Sequence, residues 1–217
     1  MTMGRFYNKK ITSSTSFRYN DFIFECHPQV YEPAEDSFLL LQSLQVHPQD
    51  VILELGTGSG LIALECARQG AYVVCTDINP FAVQLTRRNI SHNTHLLKGT
   101  IEIRHGDLFS VLNTHERFNT ILFNPPYLPT TRHEKVGGWF DVATDGGPDG
   151  LRVIRRFLDE VSAYLLPDGS AYFVFSSLSK RLTLEYYLKK LRLSARIVNR
   201  HLSDDEELDV YCITPTD

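Results

Sequence analysis

The stretch Phe123-Asn124-Pro125-Pro126-Tyr127 combines residue types that could hold a planar amine. It follows an apolar run, Phe118 to Phe123, that is typical of a buried strand, and proline both ends a central strand and fixes φ. The carbonyl of Pro125 would therefore point in a fixed direction beside the side-chain carbonyl of Asn124, and both groups accept hydrogen bonds. Tyr127 adds a flat ring that can stack on a planar group. A strand-ending turn is the alternative, because asparagine and proline are common turn residues.

A second motif, Gly56-Thr57-Gly58-Ser59-Gly60, lies between a predicted strand, Val51 to Leu55, and a predicted helix that begins at Leu61. Glycines let the backbone pass close to a ligand, and N–H groups at a helix start can bind a carboxylate or a polar sugar. Asp77 ends the next predicted strand about 20 residues later, where an acid can accept hydrogen bonds from ribose hydroxyls. A tight turn with a helix cap is the alternative. Together, the loop and the acid predict a nucleotide-binding α/β unit.

Leu61 separates two classes of cofactor, because the dinucleotide fingerprint G-x-G-x-x-G/A requires a small residue at this position. The pattern from Glu54 to Gly60, E-x-G-x-G-x-G, instead resembles the first motif of class I methyltransferases that use S-adenosylmethionine. Asp107 follows another predicted strand, Ile101 to His105, and could accept hydrogen bonds from the amino group of an adenine, with Leu108 packed on the ring. A turn residue that follows glycine is the alternative for Asp107.

The elements that must position these motifs are strands that alternate with helices, followed by a hairpin formed by residues 195–202 and 208–214. This order predicts one α/β domain with a mostly parallel sheet. The helix that follows Val30 carries Glu35 and Asp36 in its first turn, and we interpret both acids as helix-end charges rather than catalytic groups. We expect residues 1–29 to form a partly flexible N-terminal segment and residues 30–217 to form the domain.

The composition limits the classes of function. A chain of 217 residues with 42% hydrophobic residues fits one globular domain with a substantial core. Its formal net charge of −4 gives no broad attraction to a polyanion, so nonspecific binding of nucleic acid is not expected. No apolar run suggests a signal peptide or a membrane span, so we expect a cytoplasmic protein. Four cysteines lack the spacing of metal ligands and are predicted to be free thiols, most of them buried, and no metal site is predicted.

Five segments together carry a resemblance to a known family: Val30 to Leu41, Glu54 to Gly60, Asp77 to Pro80, Asp107-Leu108, and Asn124 to Tyr127. They resemble the HemK-like methyltransferases, specifically the short branch that modifies glutamine in class I release factors of archaea and eukaryotes. The resemblance implies a Rossmann-like class I methyltransferase fold, with a mostly parallel seven-stranded sheet and helices on both faces. It also implies S-adenosylmethionine as cofactor and methyl transfer to the side-chain amide nitrogen, N5, of a glutamine.

Other substrates stay open, because the Asn-Pro-Pro-Tyr element is shared with amino-methylating enzymes that act on DNA and RNA. Adenine-N6 methylation of a nucleic acid and methylation of protein lysine are the alternatives, and a noncatalytic nucleotide-binding scaffold is a third reading. The resemblance assigns catalytic roles to Asn124, Pro125 and Tyr127, of which the first two accept both N–H bonds of the substrate amide. It assigns these cofactor contacts: Ser37, Glu54, Gly56, Gly58, Asp77, Asp107, Leu108 and Asn124.

The resemblance also implies a protein partner. Bacterial release-factor enzymes carry a larger N-terminal recognition domain that residues 1–29 are too few to supply. The short branch is similar to enzymes that work with a small zinc-binding activator protein docked at an edge of the sheet. In the methyltransferase sheet order that edge is the strand Ile101 to His105, where unpaired backbone groups could add a strand from another chain. We therefore expect a heterodimer; an edge covered by a loop or by the N-terminal segment is the alternative.

Overall fold

The computed structural model describes residues 16–131 and 137–216 of the chain. The described residues form strands and helices in the predicted alternation. The strands are β1 (Ser16–Tyr19), β2 (Phe22–Glu25), β3 (Val51–Leu55), β4 (Tyr72–Asp77), β5 (Thr100–His105), β6 (Phe118–Phe123), β7 (Leu165–Ser176), β8 (Leu193–Leu202) and β9 (Glu207–Pro215). The helices are α1 (Glu35–Gln42), α2 (Leu61–Arg68), α3 (Pro80–Asn93), α4 (Trp139–Thr144), α5 (Arg152–Glu160) and α6 (Arg181–Lys190).

Seven of the strands form one sheet in the order β5-β4-β3-β6-β7-β9-β8. Strands β3 to β7 pair in parallel, whereas β9 is antiparallel to both β7 and β8. This order confirms the predicted mostly parallel sheet, the closing hairpin and the position of β5 at an edge. The chain first builds the half from β3 to β5 and then returns to place β6 on the other side of β3. The crevice between β3 and β6 is therefore the topological switch point, where open α/β sheets bind ligands.

The register of the central strands brings the predicted motifs to one edge of the sheet. Leu55, the last residue of β3, pairs with both Thr76 in β4 and Phe123 in β6. The glycine loop and Asn124 directly follow two of these paired residues. The glycine loop and Asn124 therefore lie close together because strands far apart in the sequence pair with each other.

Helices cover both faces of the sheet, as the family resemblance implied. On one face, Phe157 from α5 and Leu188 from α6 pack with Phe123 and Phe173 in a buried apolar cluster. On the other face, α1 and α2 contribute Leu39, Leu40, Leu41, Ile62, Ala63 and Cys66 to a second cluster. Strands β3 and β6 lie between the two clusters, which explains why both read as nearly continuous apolar runs.

Strands β1 and β2 form a separate antiparallel hairpin that packs on α2 and α3. Phe22 and Phe24 are fully buried and contact Leu61 and Leu64 of α2. Residues 1–15 of the N-terminal segment that was expected to be partly flexible lie outside the described residues, and the division of the chain at residue 30 stays a prediction.

The long connection between β6 and β7 contains α4 and is anchored to the end of β6. Leu128 exchanges backbone hydrogen bonds with Thr144 and Gly146, which closes the described part of this connection into a loop. In the loop between β8 and β9, Asp204 and Asp205 are exposed, whereas Glu206 accepts a hydrogen bond from Ser176 and Glu207 pairs with Arg181.

The four cysteines are free thiols, and three of them are buried: Cys66, Cys75 and Cys212. Among the described residues, no helix is long and apolar enough to cross a membrane.

Candidate active site

Asn124 presents an unsatisfied acceptor at the end of β6. Its Nδ2 donates to Ser37 Oγ at 3.4 Å, and this contact turns Oδ1 to the opposite side of the amide. Oδ1 is buried and meets no donor in the described part of the chain. A buried carbonyl without a donor is costly, so such an atom in a cleft is available to a ligand N–H group. The arrangement agrees with the acceptor role predicted for Asn124.

Asp36 holds both ends of the Asn-Pro-Pro-Tyr stretch. Its Oδ2 accepts hydrogen bonds from the hydroxyls of Tyr127 at 3.0 Å and Tyr31 at 3.2 Å. Its Oδ1 accepts from the main-chain N–H of Ser37 at 2.6 Å and from the Ser37 hydroxyl at 3.1 Å. Since Ser37 in turn contacts Asn124, one carboxylate orients Tyr127 directly and Asn124 through a serine.

The interpretation of Asp36 as a helix-end charge is therefore incomplete. It lies in the first turn of α1 as predicted, but its exposed fraction is only 4%, and Asp36 faces the candidate site, whereas Glu35 beside it is exposed. The hydrogen bond that defines its role comes from Tyr127, 91 residues away in the chain. Tyr31, five residues before Asp36, is the nearest sequence signal, because a half-buried tyrosine hydroxyl needs a polar partner.

Tyr127 is anchored at its hydroxyl as well as at its backbone. Burial, followed by the charge of Asp36, raises the pKa of Tyr127 well above its ordinary value, so its hydroxyl remains a donor at neutral pH. Its main-chain carbonyl accepts a hydrogen bond from Ser179 Oγ at 2.5 Å. Its ring packs against the clusters on both sheet faces. This restraint limits how far the ring can move to stack on a substrate, which is the role predicted from the sequence.

The glycine loop adopts the backbone conformation that its composition predicts. Gly56, Gly58 and Gly60 all have positive φ, at 68°, 58° and 85°. A side chain at Gly60 is excluded for two reasons. Its positive φ is one that residues with a Cβ rarely adopt, and an added Cβ would lie 2.8 Å from a methyl group of Thr86. The loop is thus held in one conformation, in which Gly56 is exposed and Thr57, Ser59 and Gly60 are buried.

Asp77 links the loop to the end of β4. Its Oδ2 accepts from the N–H of Gly58 at 2.9 Å, and its Oδ1 accepts from the N–H of Asn79 at 2.8 Å. Burial raises the pKa of Asp77, and the backbone hydrogen bonds act in the opposite direction. A carboxylate offers about four lone pairs, so each oxygen can still accept a ribose hydroxyl.

Asp107 and Leu108 follow β5 as predicted, but Asp107 already has a partner. Its Oδ2 lies 2.7 Å from Arg156 Nη2, and both side chains are partly exposed. An adenine amino group would have to share this carboxylate with Arg156. Leu108 has a positive φ of 47° and a side chain that is 8% exposed. Such a conformation in a branched residue is strained and occurs preferentially at functional sites.

Glu54 is buried beneath the glycine loop, where Thr57 Oγ1 donates to its Oε2 at 2.7 Å. Burial raises the pKa of Glu54 from an ordinary 4.5 to about 8, against the opposing effect of the Thr57 hydrogen bond. At neutral pH the carboxyl is therefore largely protonated in the free protein. A cation bound nearby would favour its ionised form.

This shift predicts a pH dependence of stability. Between about pH 5 and pH 8 the folded chain holds a proton on Glu54 that the unfolded chain has lost, so the contribution of Glu54 to the unfolding free energy falls as pH rises. Glu54→Gln mimics the protonated carboxyl at all pH values. We expect the melting temperature of E54Q relative to the unmodified protein to be higher at pH 8 than at pH 5, measured without cofactor. If the difference in melting temperature between E54Q and the unmodified protein is equal at both pH values, the pKa of Glu54 is not raised.

The donor and acceptor set fits S-adenosylmethionine. The Asp77 carboxylate suits ribose hydroxyls, and the exposed backbone of Gly56 suits a polar or charged chain. Asn124 Oδ1, which meets no donor among the described residues, lies at the same switch point. Within the described ranges, no group of three or more histidine, cysteine, aspartate or glutamate side chains is placed to hold a metal ion.

Comparison with known proteins identifies the family. Residues 27–139 match the model of the methyltransferase small domain. A protein of Methanocaldococcus jannaschii, provisionally named a protein N5-glutamine methyltransferase, is 42% identical over 85% of this chain and 91% of its own length. The human methyltransferase HEMK2 is 35% identical over 67% of this chain and 71% of its own length.

A solved structure supports the same conclusion. One chain of the E. cuniculi Mtq2–Trm112 complex, described as responsible for methylation of the eRF1 translation termination factor, superposes with a TM-score of 0.65. It is 25% identical, and the match covers 87% of this chain and 99% of that one. The chain therefore belongs to the methyltransferase small-domain family, as a HemK-like class I methyltransferase that uses S-adenosylmethionine.

Proposed function

We propose that this methyltransferase modifies the side-chain amide nitrogen, N5, of a glutamine in a peptide-chain release factor, in the cytoplasm. The observation that carries the proposal is the buried Oδ1 of Asn124, which has no partner among the described residues and is held in place through Ser37 and Asp36. The name of the M. jannaschii relative and the eRF1 substrate given for the E. cuniculi complex both support this substrate class.

The amide of glutamine is a poor nucleophile, because its nitrogen lone pair is delocalised into the carbonyl. Asn124 Oδ1 and the Pro125 carbonyl would accept the two N–H bonds of this planar group and fix its orientation. Acceptors at these positions also stabilise the positive charge that develops on nitrogen during transfer. Neither acceptor needs a metal ion or a covalent enzyme intermediate.

Hydrogen bonds that are already formed hold these acceptors in place. Asp36 fixes the Tyr127 hydroxyl and the Ser37 hydroxyl, so little reorganisation is required when the amide arrives. When bound, S-adenosylmethionine supplies an electrophilic methyl group on a sulfonium. The residues that would hold it are Ser37, Glu54, Gly56, Gly58, Asp77, Asp107, Leu108 and Asn124.

Product analysis tests the substrate. The full chain is incubated with methyl-labelled S-adenosylmethionine and either a release factor, a release factor in which the target glutamine is replaced by asparagine, or adenine-containing RNA and DNA. We expect label only on the glutamine of the unmodified release factor, identified as N5-methylglutamine by mass spectrometry after digestion. Label on adenine or on lysine instead would refute the proposal.

We further propose that a small zinc-binding activator protein docks on the outer edge of β5. The Trm112 subunit of the E. cuniculi complex supports such a partner, and β5 lies at the sheet edge here. The side chains beside this edge form a polar network, in which Arg104 pairs with Glu102 and Glu116, each at 2.8 Å. A partner strand added there would lie next to fixed charges that help to set its register.

Hydrogen exchange gives a test at single-residue level. The amides of Thr100 and Gly106 both donate to carbonyls on the β4 side of β5. Because strand amides alternate in direction, the outward amides are those of Ile101, Ile103 and His105. We expect these three to exchange rapidly in the isolated chain and to become protected with the activator, while Glu102 and Arg104 stay protected throughout. No added protection at the three outward amides would exclude β5 as the docking site.

A further inference from the structure

Two asparagines on α3 pair with the exposed edge of the N-terminal hairpin. Asn89 and Asn93 are 0% and 2% exposed and lie one helical turn apart. Asn89 Oδ1 accepts from the N–H of Glu25 at 2.8 Å, and Asn93 Oδ1 accepts from the N–H of Ile23 at 3.0 Å. Each side chain also donates back to the carbonyl of the same β2 residue, at 3.4 Å and 2.8 Å respectively. The two amides thus bond the edge of β2 on which the described residues place no further strand.

The two asparagines differ in their remaining contact. Asn89 Nδ2 donates to the carbonyl of Ser59 in the glycine loop at 2.8 Å. Asn93 Nδ2 donates instead to the carbonyl of Asn89, within α3 itself, at 2.7 Å. Asn89 is therefore in contact with the hairpin and the glycine loop at once, whereas Asn93 reaches only the hairpin.

A third residue of α3 holds the loop without touching the hairpin. Thr86, one turn before Asn89, donates from Oγ1 to the carbonyl of Gly58 at 2.9 Å. In a planar trans peptide the N–H of Ser59 points away from the Gly58 carbonyl, so this anchor directs the Ser59 amide away from α3. The Ser59 hydroxyl is itself buried and has no partner among the described residues.

We propose that Asn89 is a positioning residue that couples docking of the N-terminal hairpin to cofactor binding. The glycine loop has three residues in left-handed conformations, and its shape depends on groups that hold its carbonyls. Asn89 holds one of these carbonyls with the same amide nitrogen that holds β2. Any ligand that orders the loop then also stabilises the docked hairpin, by the same factor in both directions. The proposal rests on the assignment of the loop to the cofactor.

Hydrogen exchange on the unmodified chain tests the coupling directly. The amides of Ile23 and Glu25 are protected only while β2 is docked on α3. We expect saturating S-adenosylmethionine to slow exchange at both amides by about fivefold or more. Unchanged exchange at both positions would overturn the proposal. No methyl acceptor is needed, so this outcome is independent of whether glutamine is the substrate.

Three substitutions on α3 separate coupling from simple support. Asn89→Ala and Asn93→Ala each remove one pair of hydrogen bonds to β2, whereas Thr86→Val removes only a loop contact. By calorimetry we expect Asn89→Ala to bind S-adenosylmethionine about tenfold more weakly than the unmodified chain does. Thr86→Val should bind it several-fold more weakly than the unmodified chain, and Asn93→Ala should bind it within about twofold of the unmodified affinity.

The exchange pattern of the variants provides the second readout. In Asn93→Ala, S-adenosylmethionine should still protect the Glu25 amide. In Asn89→Ala, S-adenosylmethionine should no longer slow exchange at the Ile23 amide, although Asn93 still accepts a hydrogen bond from that amide. Equal losses of cofactor affinity in Asn89→Ala and Asn93→Ala, with equal loss of melting temperature, would show that Asn89 is only a structural support.

Discussion

Asn124→Ala is expected to lower the rate of methyl transfer about 10²- to 10³-fold, the usual effect of removing one group that stabilises a transition state. The reason is that Oδ1 is a buried acceptor to which no group in the described part of the chain donates, so it can accept from the substrate amide. Affinity for S-adenosylmethionine should change much less, by about threefold at most, because the ribose and loop contacts remain. Single-turnover kinetics and calorimetry measure the two effects separately.

A matched control lies at the other end of the same strand. Asn119 is exposed near the start of β6, where its side chain accepts a hydrogen bond from the N–H of Val51 at 2.8 Å. Asn119→Ala should cost some stability and leave transfer unchanged. If Asn124→Ala transfers methyl groups at a near-normal rate, Asn124 is not the acceptor.

Asp77→Ala is expected to weaken binding of S-adenosylmethionine about a hundredfold or more, because hydrogen bonds to a charged group are worth more than those between neutral groups. Two effects combine in this variant. The ribose hydroxyls lose their acceptor, and the N–H groups of Gly58 and Asn79 lose the carboxylate that fixes the loop. Calorimetry on the folded variant gives the dissociation constant.

Asp77→Asn separates these two effects. It keeps one carbonyl acceptor but removes the charge, and it can hold only one of the two backbone N–H groups as before. We expect an affinity between those of the unmodified protein and of Asp77→Ala. An unchanged dissociation constant in a correctly folded Asp77→Ala protein would remove the ribose role.

The parts of the site that could be predicted from sequence are those formed by neighbouring residues. The strand before the glycine loop, the loop itself and Asp77 follow one another along the chain, and local periodicity is enough to place them. The edge position of β5 followed from the family resemblance, because periodicity does not give strand order.

The parts that were missed depend on contacts between distant segments. The role of Asp36 depends on its hydrogen bond with Tyr127, 91 residues away in the chain. The role of Asn89 depends on its hydrogen bond with Glu25 of β2, 64 residues away. The burial of both side chains also differs from what their polarity alone would predict. An acid in a first turn and an asparagine in a helix normally face solvent, and here strand pairing and hairpin docking bury them.

The pairing of Leu55 with Phe123 also has a consequence for folding and for fragmentation of the chain. The glycine loop belongs to the first half of the sheet and the Asn-Pro-Pro-Tyr stretch to the second, and within the described sheet the two halves pair through the β3–β6 ladder. Parallel pairing between distant strands is slow, since a long loop must close before any contact is gained. The half of the sheet that carries the glycine loop can thus form during synthesis before the half that carries Asn124 has been made. A chain cut between β5 and β6 should be inactive as separate halves and become active only when the two fragments reassociate.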